Sequence, residues 1–146
     1  MLRTLKSYHF KFNDESTSSH TMIFTTYPAT LTSVDDYFVM SSGLSVIETT
    51  NGIMNDTLYQ YVTQSSVLSW IRTIVANRMA KSGQHWIEIF SKYNSGTYNN
   101  QWMILDTNKF TPGQPLQKGG FWIAEQIPGY IERYIPFSCF SEYLQL

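Results

Sequence analysis

Few side chains in this 146-residue chain can move a proton or attack a carbonyl: three histidines, one cysteine and eleven carboxylates. His9, His20 and His85 fall on separate stretches, and none has a second ligand at metal or dyad spacing. Each reads as a strand-face or helix-surface residue. Cys139 is alone, which excludes an intrachain disulfide and a cysteine-based metal site and leaves a small buried or half-buried thiol. There is no G-x-S-x-G elbow, H-E-x-x-H, Walker loop or G-x-G-x-x-G, so serine-elbow, zinc-protease and nucleotide-binding chemistries lack their signatures. Glu48 and the pair Asp35-Asp36 can be read as acid and base, with turn initiation or solvated edge positions as the plainer reading. Asn99 and Asn100 offer side-chain amides to substrate or to a developing oxyanion, although adjacent asparagines are also ordinary turn residues.

The elements that must position these groups centre on residues 93–106, Y-N-S-G-T-Y-N-N-Q-W-M-I-L-D. Asn94, Ser95, Gly96, Asn99 and Asn100 predict a tight hydrogen-bonded loop. Trp102, Met103, Ile104 and Leu105 predict a strand apolar enough to be covered on both faces. Leu2 and Leu5 stand at helical spacing and predict a helical turn, after which Tyr8, Phe10 and Phe12 alternate with His9 and Lys11 as in a half-buried strand. Residues 13–19 are a polar turn, 22–27 a strand stopped by Pro28, and 37–40 and 44–49 two strands joined by Ser41-Ser42-Gly43. A link that short cannot make a parallel crossover, so the strands form an antiparallel meander.

After Asn51-Gly52 the pattern turns helical. Residues 56–62 predict a short helix, and Ser65 or Ser66 is placed to cap a longer one whose stripe Val67, Trp70, Ile71, Ile74 and Val75 would bury against a sheet or helix. Arg72, Asn77 and Lys81 fall elsewhere on that wheel, and Gly83 is its expected stop. Trp86, Ile89, Phe90 and Tyr93 predict a second short helix. Residues 111–120 are a loop rich in proline and glycine, and 121–126 a last strand closed by Pro128-Gly129. Strands, then helices, then strands make an α+β class.

At 42% hydrophobic residues the chain holds one domain or part of one. A net charge of −1 with 14% charged residues gives no clustered basic surface for nucleic acid or an anionic membrane. Low charge combined with 16% aromatic residues implies a surface meant to be covered by more protein. No apolar run is long enough for a membrane span, and the first twelve residues carry scattered charge in place of a secretory h-region. Asn55-Asp56-Thr57 is a glycosylation sequon at Asn55.

The strings NSGTYNNQWMILD, EQIPG, TTYPAT, SSGLSVIETT and SVLSWIRTIVANRMA resemble the central part of the phospholipase B-like family, lysosomal or secreted relatives of the N-terminal-nucleophile hydrolases. The resemblance runs over residues 2–129, so the chain is expected to be a single partial domain with residues 130–146 as a divergent tail. It implies a partial α-β-β-α sandwich, with antiparallel strands and one helical layer supplied here, and a hydrolase of ester or amide bonds in lipids. The implied partners are a lipid or N-acyl substrate and other segments of the same polypeptide, with no cofactor and no metal. It also implies a cysteine nucleophile, released as a new N-terminus by self-cleavage, and a histidine-containing strand, both upstream of the part resembled by residues 1–12; a signal peptide is expected there too. Cys139 cannot take that nucleophile's place. Thr50 corresponds to a family position beside the nucleophile, and its other reading is a strand-end hydroxyl. The family's oxyanion asparagine and site arginine follow the departure at Gly129, and no role passes to Arg133. The alternative is a catalytically inactive remnant or a non-catalytic binding piece, including a lipid-binding module using Trp70, Trp86, Trp102 and Trp122.

Overall fold

The computed structural model describes residues 2–31 and 37–136. Among the described residues seven strands, β1 (Thr4–His9), β2 (Thr21–Thr26), β3 (Tyr37–Met40), β4 (Leu44–Thr50), β5 (Asn100–Asp106), β6 (Phe121–Ile127) and β7 (Tyr130–Tyr134), form one sheet in sequence order. Every neighbouring pair is antiparallel. Two helices, α1 (Ser69–Met79) and α2 (Gly83–Phe90), form a layer on one face, and short 3-10 turns follow β4 and β5. The architecture is a mostly antiparallel α+β layer. Strand alternation sorts the two faces. Met22, Phe24, Phe38, Met40, Leu44, Val46, Trp102, Ile104 and Ala124 point toward the helices and are buried with Trp86, Ile87 and Phe90. Three of these rings meet at the centre, where Trp86 stacks on Phe90 at 4.7 Å and lies tilted against Trp102 at 5.4 Å.

The opposite face carries a second apolar set. Tyr37, Ile47, Met103, Ile123 and Tyr134 lie side by side along one cross-strand row. Each of these is half-buried or exposed. The expectation that residues 102–105 are covered on both faces is therefore corrected: Trp102 and Ile104 are buried, whereas Met103 and Leu105 are only half-covered.

Four other expectations change. Thr4 is already in β1, so there is no helical turn at Leu2 and Leu5; Leu5 is 69% exposed on the outer face. β1 also ends at His9, and Phe10 and Phe12 turn onto Arg78, whose guanidinium lies 5.3 and 5.5 Å from their ring centres. Neither Ser65 nor Ser66 caps α1, whose N-cap is Leu68 with no side-chain bond; Ser66 Oγ instead accepts from Thr63 N–H. Gly83 does not stop α1. It opens α2 behind Ser82, which accepts from His85 N–H, and a β-carbon there would come within 2.6 Å of the Trp122 ring.

The largest correction concerns which way α1 faces. Its buried residues are Ser69, Arg72, Thr73, Ala76, Asn77 and Arg78. The apolar stripe points outward, with Trp70 38% and Val75 40% exposed and Ile71 and Ile74 half-buried. The polar side is inside because loops and strand ends there supply partners. Trp86 Nε1 donates to Asn77 Oδ1 at 2.7 Å, and Arg78 Nη1 donates to the carbonyls of Ser19 and His20 at 3.0 Å.

Candidate functional site

Thr50, Asn99 and Asn100, read separately in the sequence, meet at one end of the sheet. Thr50 pairs directly with Asn100 across β4 and β5, and Asn51 N–H donates to Asn99 C=O at 2.8 Å, which extends the ladder by one bond. The loop before β5 is fixed by its own short side chains, as its composition predicts. Asn94 is the hub: its Oδ1 accepts from Gly96 N–H, Arg72 Nη1 and Gln126 Nε2 at 3.2, 3.0 and 3.1 Å, while its Nδ2 donates to Ile127 C=O at 2.8 Å. Gly96 has φ +62°, and a β-carbon on it would lie 2.7 Å from Pro128 Cα, so both conformation and space demand glycine. Asn99 Nδ2 is spent on Gly96 C=O at 2.8 Å.

The two asparagines therefore differ. Asn100 is fully buried, and both atoms of its side-chain amide lack a partner. It lies between Thr50 and Gln126 in one cross-strand row under α1. Thr50 is exposed, and its Oγ1 lies 3.3 Å from the Tyr98 hydroxyl, which donates to Glu48 Oε1 at 3.1 Å. Glu48 and Thr50 are two residues apart on β4, so strand alternation puts them on the same face as Asn100. Glu48 Oε2 is buried without a partner.

Arg72 of α1 roofs this region at 4% exposure. Its guanidinium stacks 4.2 Å over Phe90, and Nε and Nη2 are buried without partners. Desolvation lowers its pKa to about 10. On the sheet's other face at the same end, Glu125 accepts from Asn51 Nδ2 at 2.7 Å and from Gln101 Nε2.

The remaining candidates lie elsewhere. His9 sits on β1 between Ser7 Oγ and Thr21 Oγ1, His20 precedes β2, and His85 accepts from Lys81 N–H on α2. Arg133 on β7 faces Glu88 of α2 at 3.8 Å. Asn55 is exposed, its Oδ1 accepting from Thr57 N–H and Oγ1 at 3.1 and 2.7 Å. Of the four tryptophans, Trp86 and Trp102 are core. Asp35, Asp36 and Cys139 lie outside the described residues. Among the described residues no group of three or more His, Cys, Asp or Glu could hold a metal, and no helix is long and apolar enough to cross a membrane. Sequence reasoning missed Tyr98 and the Asn94 hub; the register of β4 on β5, with Tyr98 two residues before Asn100, is the signal that points to Tyr98.

An antiparallel sheet with one helical layer, ending in a polar strand-end cluster roofed by a helix, defines the structural class. The sequence pattern of the Phospholipase B family matches residues 1–134, so the match takes in all seven strands, and the chain belongs to that family. It is 51% identical over 133 residues to phospholipase B-like protein B of Dictyostelium discoideum and 50% identical over 132 residues to human phospholipase B-like 1. Phospholipase B-like protein C of Dictyostelium discoideum is 53% identical over 135 residues. Each alignment covers 90% of this chain and 23–24% of the relative, so the chain spans about a quarter of their length.

Proposed function

We propose that this chain forms one wall of the active site of a phospholipase B-like hydrolase acting on ester or amide bonds of lipids. The observation that carries the reading is the convergence at one strand end of the exposed Thr50 hydroxyl, its Tyr98 and Glu48 partners and the uncommitted Asn100 amide. Thr50 supports the nucleophile, and Asn99 and Asn100 shape the substrate side, Asn99 through its backbone and Asn100 through its amide. The nucleophile is a cysteine elsewhere in the polypeptide, freed as an N-terminus by self-cleavage, with its α-amino group as base.

The finer fold is half of an α-β-β-α sandwich of the N-terminal-nucleophile type. The half-buried to exposed apolar row from Tyr37 to Tyr134 supports this, since it has the composition of a sheet face that packs on a second sheet. The protein acts in a lysosomal or secreted setting, where the exposed Asn55 sequon is glycosylated. A non-catalytic binding piece is the competing reading, favoured by one observation: among the described residues His9 is bonded on both ring nitrogens to hydroxyls, with no acid behind it.

Turnover separates the two. A full-length phospholipase B-like polypeptide carrying this segment is expected to hydrolyse a fluorogenic lipid ester or an N-acyl amide, whereas the 146-residue chain alone is expected to be inert. Turnover by the isolated chain that survives Cys139→Ala would overturn the assignment of the nucleophile to another segment.

A further inference from the structure

Asn51-Gly52 is the one Asn-Gly step in the chain, and the function derived above makes no use of it. In such a step the residue after asparagine has no β-carbon to shield its backbone nitrogen, which is then free to attack the asparagine amide carbon. The surroundings leave room for that attack. Gly52 is exposed, nothing stands within 4 Å of the place its β-carbon would take, and neither residue is in a helix or strand. The buried Asn77, Asn99 and Asn100 are followed by larger residues and lack this opening. One bond restrains Asn51: its Nδ2 donates to Glu125 Oε2 at 2.7 Å, beside Gln101, whose Nε2 donates to the other carboxylate oxygen. The amide is thereby drawn across the sheet toward β6 instead of along the chain toward Gly52.

We propose that Asn51 is a site of spontaneous deamidation, latched by Glu125, whose product sets a second carboxylate against Glu125 at the end of β4. The step needs only water. Gly52 N attacks Asn51 Cγ, the new N–C bond forms as the Cγ–Nδ2 bond breaks, and ammonia leaves with the proton that Gly52 N gives up. Water then opens the succinimide to aspartate or isoaspartate. Either product replaces an N–H donor by an anionic oxygen. The bond to Glu125 is lost, and two carboxylates face each other where Glu125 already stands directly opposite Glu132 across β6 and β7. Isoaspartate also routes the backbone through Cβ, just beyond the Asn51 N–H that closes the ladder on Asn99 C=O. The change falls next to Thr50 and holds whether or not Thr50 serves a nucleophile.

The test incubates the folded 146-residue chain beside a free peptide of residues 47–56 and follows residue 51 by peptide mapping, with fragmentation that separates aspartate from isoaspartate. The chain should convert at Asn51 ahead of every other asparagine, and more slowly than the peptide by about threefold or more, the scale of one hydrogen bond that must first break. Gly52→Ala should slow the conversion about tenfold in both, because a β-carbon shields the attacking nitrogen. Gly52 has no positive φ and open space around it, so this variant keeps the fold. Asn51→Asp reads the consequence directly. Its melting temperature should fall by a few degrees, and Asn51→Asp/Glu125→Gln should recover most of that fall, because the glutamine amide donates to the new carboxylate. The proposal is overturned by an Asn51 that stays intact while the peptide converts, by equal rates in chain and peptide, or by a Gly52→Ala chain that converts as fast as the unaltered one. An Asn51→Asp chain as stable as the unaltered one, or not rescued by Glu125→Gln, overturns it equally.

Discussion

The two helices lie side by side on the same face of the sheet and bury opposite kinds of side chain. α2 buries Trp86, Ile87 and Phe90, with Gly83 letting its first turn press on Trp122, and so supplies the centre of the core. α1 buries Ser69, Arg72, Thr73, Asn77 and Arg78 and sends Trp70 and Val75 outward. The difference shows that amphipathicity identifies a stripe without identifying its partner. α2 settles on the rings of Trp102 in β5 and Trp122 in β6. α1 settles on backbone carbonyls, hydroxyls and amides of the 10–20 and 93–99 loops, and those bonds fix the loops that carry the strand-end site.

The comparison is broken most directly from the α2 side. Trp86→Ala removes a fully buried ring stacked on Phe90 and tilted against Trp102 and leaves Asn77 Oδ1 without its donor. The expected loss is about 3–5 kcal/mol, enough to unfold a marginal chain, and urea denaturation followed by tryptophan fluorescence measures it. A loss under about 1 kcal/mol would mean that α2 is not the core helix.

Arg72→Met asks whether the polar side of α1 is as costly as it is polar. Methionine keeps the apolar contact with Phe90 and removes a buried cation that has a single hydrogen bond to Asn94, so the isolated chain is expected to gain about 1–3 kcal/mol near neutral pH. The sign follows from linkage. The folded pKa, about 10, lies below arginine's ordinary value, so the unfolded chain binds more protons and the stability of the Arg72 form rises as pH climbs past about 10. The advantage of methionine should therefore be full below pH 10 and shrink above it. Denaturation midpoints of the two chains at pH 7 and pH 10.5 check this, and an advantage independent of pH would assign it to packing.

The outward stripe predicts a smaller change in stability with a visible change in behaviour. Replacing Trp70 and Val75 by glutamine should shift stability by no more than about 0.5 kcal/mol each while reducing self-association and dye binding of the isolated chain. Sedimentation and dye fluorescence are the measurements. A monodisperse unaltered chain that binds no dye would show that the stripe and the outer sheet face need no cover.

What was legible in the sequence follows the same division. β2 to β6 could be read as strands, and the early ones as a meander, because alternation and Gly- or Pro-marked turns are local signals, whereas the pairing of β5 with β4 across the intervening helices was not legible. Residues 93–99 were legible as a loop because Asn94, Ser95 and Gly96 have few other uses. The orientation of α1 was not legible, because Arg72 and Asn77 count as surface residues until their partners are known, and those partners, Asn94 and Trp86, lie on other elements. β1 was misjudged at both ends, since Phe10 and Phe12 keep the alternation but lie beyond the ladder and pack on Arg78. β7 escaped notice because Tyr130 to Tyr134 carries two charges and only its pairing with β6 makes it a strand. At the site, Asn99 and Asn100 were visible as residue types and Thr50 through family resemblance, whereas Tyr98 acquires its role only from the register of β4 on β5.

The smallest expected effect on stability belongs to the residue with the largest assigned role. Thr50 is exposed at a strand end, and its hydroxyl makes one side-chain hydrogen bond, to Tyr98 at 3.3 Å. Such a bond contributes about 0.5–1.5 kcal/mol net, and less where water can replace the partner. Thr50→Val keeps β-branching and shape and deletes only the hydroxyl, so it isolates that bond better than alanine does. In a full-length polypeptide carrying this segment the melting temperature should move by no more than a few degrees, while self-cleavage or turnover falls about tenfold, about 1.4 kcal/mol in the barrier. The opposite outcome, a large melting shift with normal processing and turnover, would make Thr50 a purely structural end to β4. The polar underside of α1 would then serve to hold a loop, and the strand-end cluster would lose its claim to be part of an active site.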